Sequence, residues 1–170
     1  MTTPLLVDIV TYAHILSAMA WLGGALLFLL VIGPVLPRLS AIGRRDVIVS
    51  VLPRLTRYMT IAGGLTILFG FALAGVVVYQ GMDSFDPGQT WGLAITIGAI
   101  LALVAALEGG LIVGRNVAKL VKLSGGTPSE AGSDPPADAA PLVRRIQQSA
   151  VVTVALLLTA LGAMVVAAGA

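Results

Sequence analysis

The chain has 170 residues, of which 58% are hydrophobic and only 11% are charged, whereas about 25% of the residues of a soluble domain are charged. Too few charged side chains are therefore present to cover a surface in water, which excludes a cytosolic enzyme, a disordered protein and a nucleic-acid binder despite a net charge of +2 and an isoelectric point of about 9.4. The absence of cysteine excludes disulfides, thiolate metal ligands and cysteine nucleophiles, and the composition as a whole predicts a membrane protein.

Four long runs of the sequence contain no Asp, Glu, Lys or Arg, and they cover positions 9–37, 58–82, 87–107 and 146–170. Each run exceeds the roughly 18–20 residues that a helix needs to cross a bilayer. None alternates with the period of two that a membrane β-strand shows. The predicted fold is an all-α, polytopic bundle of four transmembrane helices in a single domain, 1–170, with helices at about 5–36, 53–80, 90–123 and 141–168.

The connections between these spans differ in kind. Residues 40–52 are predicted to form a short interfacial helix, and Pro53 suits the first turn of the helix that follows. The loop at 81–90 is short and acidic, so the second and third spans are predicted to be antiparallel neighbours. Residues 124–140 are rich in Gly, Pro, Ser and Ala, which predicts a flexible linker.

The basic residues predict the orientation of the chain in the cell membrane. All ten lie in two stretches, 38–57 and 115–145. The N-terminus, the 81–90 loop and the C-terminus contain none. By the positive-inside rule, both basic stretches are cytoplasmic and both termini are outside.

Small residues at four-residue spacing predict where the helices pack, because association in lipid needs close approach of backbones. The third span carries the longest such row, and the second and fourth spans carry one each. The rows are Ala62, Thr66, Gly70 and Ala74; Ala94, Gly98, Ala102, Ala106, Gly110 and Gly114; and Ala155, Thr159, Ala163 and Ala167.

The only histidine, His14, lies within the first span, and ionisable residues inside a membrane are candidates for function. Ser17, Trp21 and Gly24 share its helix face and are predicted to shape a site beside it. On one interpretation, His14 hydrogen-bonds a neighbouring helix and Trp21 fills space. On the other, His14 is a ligand of copper, zinc or haem iron.

Possible companions of His14 lie on the same predicted side of the membrane. The thioethers of Met82 and Met164 favour Cu(I), and the carboxylates of Asp8 and Asp83 are further candidates. Haem iron would take a methionine, an open position or His14 of a second copy as its other ligand. Copper and haem are therefore the two cofactors that the sequence leaves open.

Glu108 is a carboxylate seven residues before Arg115 in the third span. Burying it there costs about 2.5–3.5 kcal/mol unless it is paired or neutral. The structural interpretation is an intramembrane charge pair between Glu108 and Arg57 that holds helices together. The functional interpretation is a relay for protons or cations.

The run from Ala13 to Gly24, AHILSAMAWLGG, resembles the opening helix of the copper-resistance D (CopD) type of membrane domain and of related four-helix families. In these domains a histidine is followed seven residues later by Trp-x-Gly, here His14 and Trp21-Leu22-Gly23. The resemblance implies copper handling near the outer face, and His14 is the position that it carries over.

Two alternatives stay open. The sequence also resembles the membrane-integral protoporphyrinogen oxidase family, in which His and Trp-x-Gly precede Pro-Arg-Leu, here Pro37-Arg38-Leu39. That resemblance implies a redox enzyme of porphyrin metabolism. The second alternative is a non-catalytic accessory subunit. Its small-residue rows would pack against other chains in a homo-oligomer or a larger membrane complex. No Walker A, GxSxG or HExxH motif is present, so no catalytic residue is predicted.

Overall fold

The four predicted spans are helices. The computed structural model describes residues 4–79, 86, 88–124 and 139–169. Four helices in these ranges are long and apolar enough to cross a membrane, and no residue there lies in a β-strand. They are α1 (Leu5–Arg38), α2 (Ala41–Tyr79), α3 (Thr90–Ser124) and α4 (Ala139–Ala168). The all-α four-helix fold is confirmed, whereas most of the predicted 81–90 loop and 124–140 linker lies outside the described residues.

The helices associate as two antiparallel pairs. α1 packs mainly on α2, and α3 packs mainly on α4. α2 also contacts α3, as predicted for neighbours, but less extensively than each helix contacts its own partner. The bundle therefore has a seam between an α1–α2 pair and an α3–α4 pair.

Two groups of buried side chains form the core. The smaller group joins all four helices through Trp21, Ala62, Ala105 and Leu157. The larger group lies where α1 ends and α2 begins, and it reaches the last turns of α3 and the first turns of α4. Its buried members are Phe28, Leu36, Ile48, Leu52, Val117, Leu120, Ala139, Ile146 and Ala150.

The predicted interfacial helix at 40–52 is not a separate element, because α2 runs without a break from Ala41 to Tyr79. Residues Val47–Val51 form a π-helical turn that ends two residues before Pro53, and the Leu52 N–H donates to the Val47 carbonyl. A proline inside an α-helix clashes with the carbonyl four residues earlier and removes one hydrogen bond. The wider π turn accommodates Pro53, so the helix continues through it.

Similar π turns interrupt two other helices. They span Phe28–Ile32 in α1 and Glu108–Val113 in α3. All three lie in the half of the bundle that carries the basic residues. These π turns were not predicted from the sequence.

The small-residue rows are confirmed on α2 but only in part elsewhere. On α2, Ala62 and Thr66 are buried. On α3, Ala94 and Gly98 are buried whereas Gly110 is exposed. Because a residue four positions on is rotated by about 40° relative to the first, a long row at this spacing turns away from the interface.

The row predicted on α4 mostly faces outward, since Ala155 and Thr159 are exposed and Ala167 alone is buried. The buried stripe on this helix instead follows the alternating three- and four-residue steps of an α-helix. It includes Ile146, Ala150, Thr153, Leu157, Ala160 and Ala167.

Candidate ligand site at His14

His14 hydrogen-bonds the backbone of α2. Its Nδ1 lies 2.9 Å from the carbonyl oxygen of Thr66. Because a carbonyl only accepts, Nδ1 of the neutral ring carries the hydrogen and Nε2 keeps its lone pair. Metal-binding histidines usually have this arrangement, in which the second ring nitrogen donates to a carbonyl or carboxylate and fixes the tautomer. The contact thus fulfils the structural interpretation of His14 and also prepares Nε2 to act as a ligand.

Gly70 provides the space for the imidazole. A Cβ atom at this position would lie 3.0 Å from Cε1 of His14 and 3.3 Å from its Nδ1. Such a Cβ would press on the ring and on the nitrogen that donates to Thr66. Gly70 is predicted from the sequence as a member of a packing row on α2, but its contact with His14 is not.

Ser17 and Trp21 are both buried below His14, but neither side chain is shown to contact the imidazole. The Ser17 hydroxyl lies 2.8 Å from the Ala13 carbonyl and 3.0 Å from the His14 carbonyl, and so bonds the backbone of its own helix. Trp21 is 4% exposed, and its indole covers Gly63 of α2. Trp21 therefore packs α1 against α2, whereas the Ser17 hydroxyl is satisfied within α1.

The space beside Gly24 is filled. A Cβ there would lie 3.1 Å from the ring of Tyr58 and 3.2 Å from the side chain of Met59. The Tyr58 hydroxyl also donates to the Ala20 carbonyl at 3.1 Å. The space beside Gly24 is therefore occupied by side chains of α2 and not by a planar ligand such as haem.

The structure places the predicted soft ligand Met164 in the other helix pair. Its Cε would lie 2.6 Å from a Cβ at Gly98 of α3, so Met164 fills the α3–α4 interface. Asp8 is exposed near the start of α1, and Met82 and Asp83 lie outside the described residues. In the ranges that the structure covers, no three His, Cys, Asp or Glu side chains are grouped to hold a metal.

A mostly apolar cavity of about 240 Å³ lies next to Trp21, and all four helices contribute to its wall. Gly63 and Thr153 line it, but His14 does not. A ligand bound to His14 Nε2 would thus occupy different space. Tyr58 also closes the approach at Gly24.

Arg38 of the Pro-Arg-Leu motif lies far from His14. The two residues stand at opposite parts of α1, 24 positions apart, which corresponds to about 36 Å along a helix. The carbonyls of Pro37 and Leu39 accept hydrogen bonds from Arg44. In this structure the motif forms the turn between α1 and α2.

Glu108 has a different partner from the one predicted. Its Oε2 accepts a hydrogen bond of 2.5 Å from the hydroxyl of Thr153 on α4. Arg57 is exposed on α2, and no ion pair between it and Glu108 is formed in the part of the chain described here. Glu108 faces α4 rather than α2, and nothing in its sequence context indicates which helix it faces.

No protein-family model, no curated protein and no solved structure matches this chain.

Proposed function

We propose that this multi-pass membrane protein binds a copper ion through Nε2 of His14, as its resemblance to CopD-type domains implies. The observation that carries the proposal is the hydrogen bond from Nδ1 to the Thr66 carbonyl. It fixes the imidazole tautomer with the lone pair on Nε2, and neutral imidazole is a good copper ligand. One nitrogen does not complete a copper site, so the remaining ligands come from Met82, from solvent or from His14 of a second copy.

Copper binding is tested with purified protein in detergent. We expect about one Cu(I) per chain or per dimer in a competition titration against a Cu(I) chelator, and loss of that copper in His14→Ala. Gly70→Ala is expected to weaken binding by about tenfold or more, because its Cβ would displace the ring that Gly70 accommodates. The matched control is Gly75→Ala on the same helix, where a Cβ would meet no atom within 4 Å.

Equal copper binding by the wild-type protein and His14→Ala would refute the proposal. A Soret absorption band that disappears in His14→Ala would instead show haem ligation and would favour the porphyrin-linked alternative. The absorption spectrum and elemental analysis of one preparation distinguish these results.

A role as an accessory subunit is the second candidate, and it is favoured by glycines that face away from the bundle. A Cβ at Gly23 of α1 or at Gly162 of α4 would meet no atom within 4 Å, and both residues are exposed. Close approach of another helix is easiest at such positions. Stable co-purification of a partner, or a homo-oligomer in cross-linking, together with an absence of bound metal, would support this role.

We also propose that both termini lie outside and that the basic ends of the helices are cytoplasmic, because all basic residues lie at one end of the bundle. The chain has no cysteine, so single cysteines report position without background. Gly88→Cys is expected to react with an impermeant maleimide in intact cells, and Ala140→Cys only after lysis. Labelling of both before lysis would contradict this orientation.

A further inference from the structure

A polar groove of about 380 Å³ runs between α3 and α4, and residues of these two helices line it. Its polar wall follows one face of each helix. Glu108, Arg115, Asn116 and Lys119 come from α3, and Arg145, Gln148 and Ser149 come from α4. The groove does not include His14, so nothing proposed for it depends on copper.

The charge in the groove is unbalanced. Three of the lining side chains are cationic, namely Arg115, Lys119 and Arg145, and only Glu108 is acidic. Glu108 stands seven residues before Arg115, about 10 Å along the helix, and its carboxylate already accepts the Thr153 hydroxyl. Within residues 88–124 and 139–169, the end of the groove at Arg115 and Lys119 is therefore positive, and no acidic residue lines it there.

Two buried polar side chains line the groove without a partner. Asn116 is 8% exposed and Ser149 is 7% exposed. Neither forms a hydrogen bond with any residue in the described ranges, nor does any of the three cations. The fully buried polar atoms that lack a partner do not include theirs, so the amide and the hydroxyl are reachable from the groove and can donate to a ligand that accepts hydrogen bonds.

The groove also has an apolar side. Leu111, Ile112 and Val152 line it toward the middle of the bilayer and are about half exposed, at 50%, 49% and 48%. In a membrane these side chains contact acyl chains. A ligand with a phosphate at the basic end and a hydrocarbon chain beside these residues would match both parts of the surface.

We propose that the groove binds the phosphate headgroup of an anionic phospholipid, with one acyl chain lying along Leu111, Ile112 and Val152. Arg115, Lys119 and Arg145 attract the phosphate, and the Asn116 amide and Ser149 hydroxyl donate hydrogen bonds to it. Basic grooves between transmembrane helices at the membrane surface commonly recognise lipid headgroups in this way.

Binding is measured by titrating the purified full-length protein in a neutral detergent with phosphatidylglycerol and counting bound lipids by native mass spectrometry. Phosphatidylcholine with the same acyl chains tests the need for anionic charge, and inorganic phosphate tests the need for a lipid. We expect phosphatidylglycerol to bind at least tenfold more tightly than either.

The variant Lys119→Gln/Arg145→Gln is expected to weaken phosphatidylglycerol binding by about 25-fold, since each basic residue near an anionic lipid contributes about fivefold. The matched control is Lys122→Gln/Arg144→Gln. It removes the same charge from the same two helices, but neither residue lines the groove, and we expect a change of less than about twofold.

Asn116→Leu leaves the charge unchanged and is expected to weaken binding by about tenfold through loss of the amide donor. Equal weakening by the two double variants would overturn the proposal, because it would show general attraction to positive charge. Equal affinity for phosphatidylcholine, or for inorganic phosphate alone, would overturn it too. If Lys119→Gln/Arg145→Gln fails to fold by circular dichroism, Asn116→Leu and the three ligands decide the question.

Discussion

Gly63→Ala is expected to lower the free energy of unfolding in detergent by about 1–3 kcal/mol, the usual cost of adding an atom to a close-packed interface. A Cβ at this position would lie 2.9 Å from Cε2 of Trp21 and 3.1 Å from two further indole atoms. Trp21 is 4% exposed and packs with Ala62, Ala105 and Leu157. To admit the methyl group, either the indole must leave this packing for the adjacent cavity or α1 and α2 must separate.

Gly64→Ala is the matched control, because a Cβ at Gly64 would meet no atom within 4 Å. Both variants replace glycine by alanine, which raises helix propensity by up to about 1 kcal/mol. Only Gly63→Ala adds a contact with Trp21. Thermal unfolding followed by circular dichroism should give a lower Tm for Gly63→Ala and an equal or higher Tm for Gly64→Ala. If both variants unfolded at the wild-type temperature, the packing of Trp21 on Gly63 would not limit stability.

Thr153→Val is expected to lower the free energy of unfolding by about 1.5 kcal/mol, the low end of the range for a hydrogen bond to a charged group. The substitution keeps the shape of a side chain that is 3% exposed and removes the hydroxyl that donates to Glu108. The low end applies because Glu108 also lines the polar groove, which water can enter.

Thr159→Val on the same helix separates this effect from the general effect of replacing threonine by valine. Thr159 is exposed, and its hydroxyl bonds the Ala155 carbonyl of its own helix. We expect the unfolding free energy of Thr159→Val to stay within about 0.5 kcal/mol of the wild-type value. The same is expected of Arg57→Gln, which removes the partner that the sequence predicted for Glu108. A large loss in Arg57→Gln would restore the predicted pair of Glu108 with Arg57, and a neutral Thr153→Val would show that Glu108 needs no partner.

The number and positions of the helices could be predicted from the sequence, because the absence of charge over some 20 residues is itself the physical requirement for crossing a bilayer. The faces along which they pack could be predicted less well. In water a buried face is recognised because the opposite face is polar, whereas Ala155 and Thr159 face outward on α4 and are no more polar than the buried Thr153. Lipid removes the contrast on which such predictions depend.

The candidate site was predicted in part. His14 is conspicuous as the only histidine. Because it lies inside a span, a hydrogen bond to a neighbouring helix could be predicted for it. The acceptor of this bond is the Thr66 carbonyl. Because every residue has a backbone carbonyl, residue type does not identify the acceptor. Gly70 is recognisable in the sequence as part of a small-residue row. That Gly70 faces His14 is shown only by the packing of α1 on α2.

The three π turns have a consequence for how the length of this chain can vary. Each turn, Phe28–Ile32, Val47–Val51 and Glu108–Val113, accommodates more residues than an α-helical turn would. Loss of one residue within such a turn restores ordinary α geometry and keeps the faces above and below it in phase. Deletion of one residue elsewhere in a helix rotates the part of that helix after the deletion by about 100° relative to the part before it. No proline follows the π turn at Glu108–Val113, which is therefore the place where a natural homologue can be one codon shorter and retain the same interior. A deletion in the turns before Pro34 or Pro53 would instead restore the clash that the wider turn avoids.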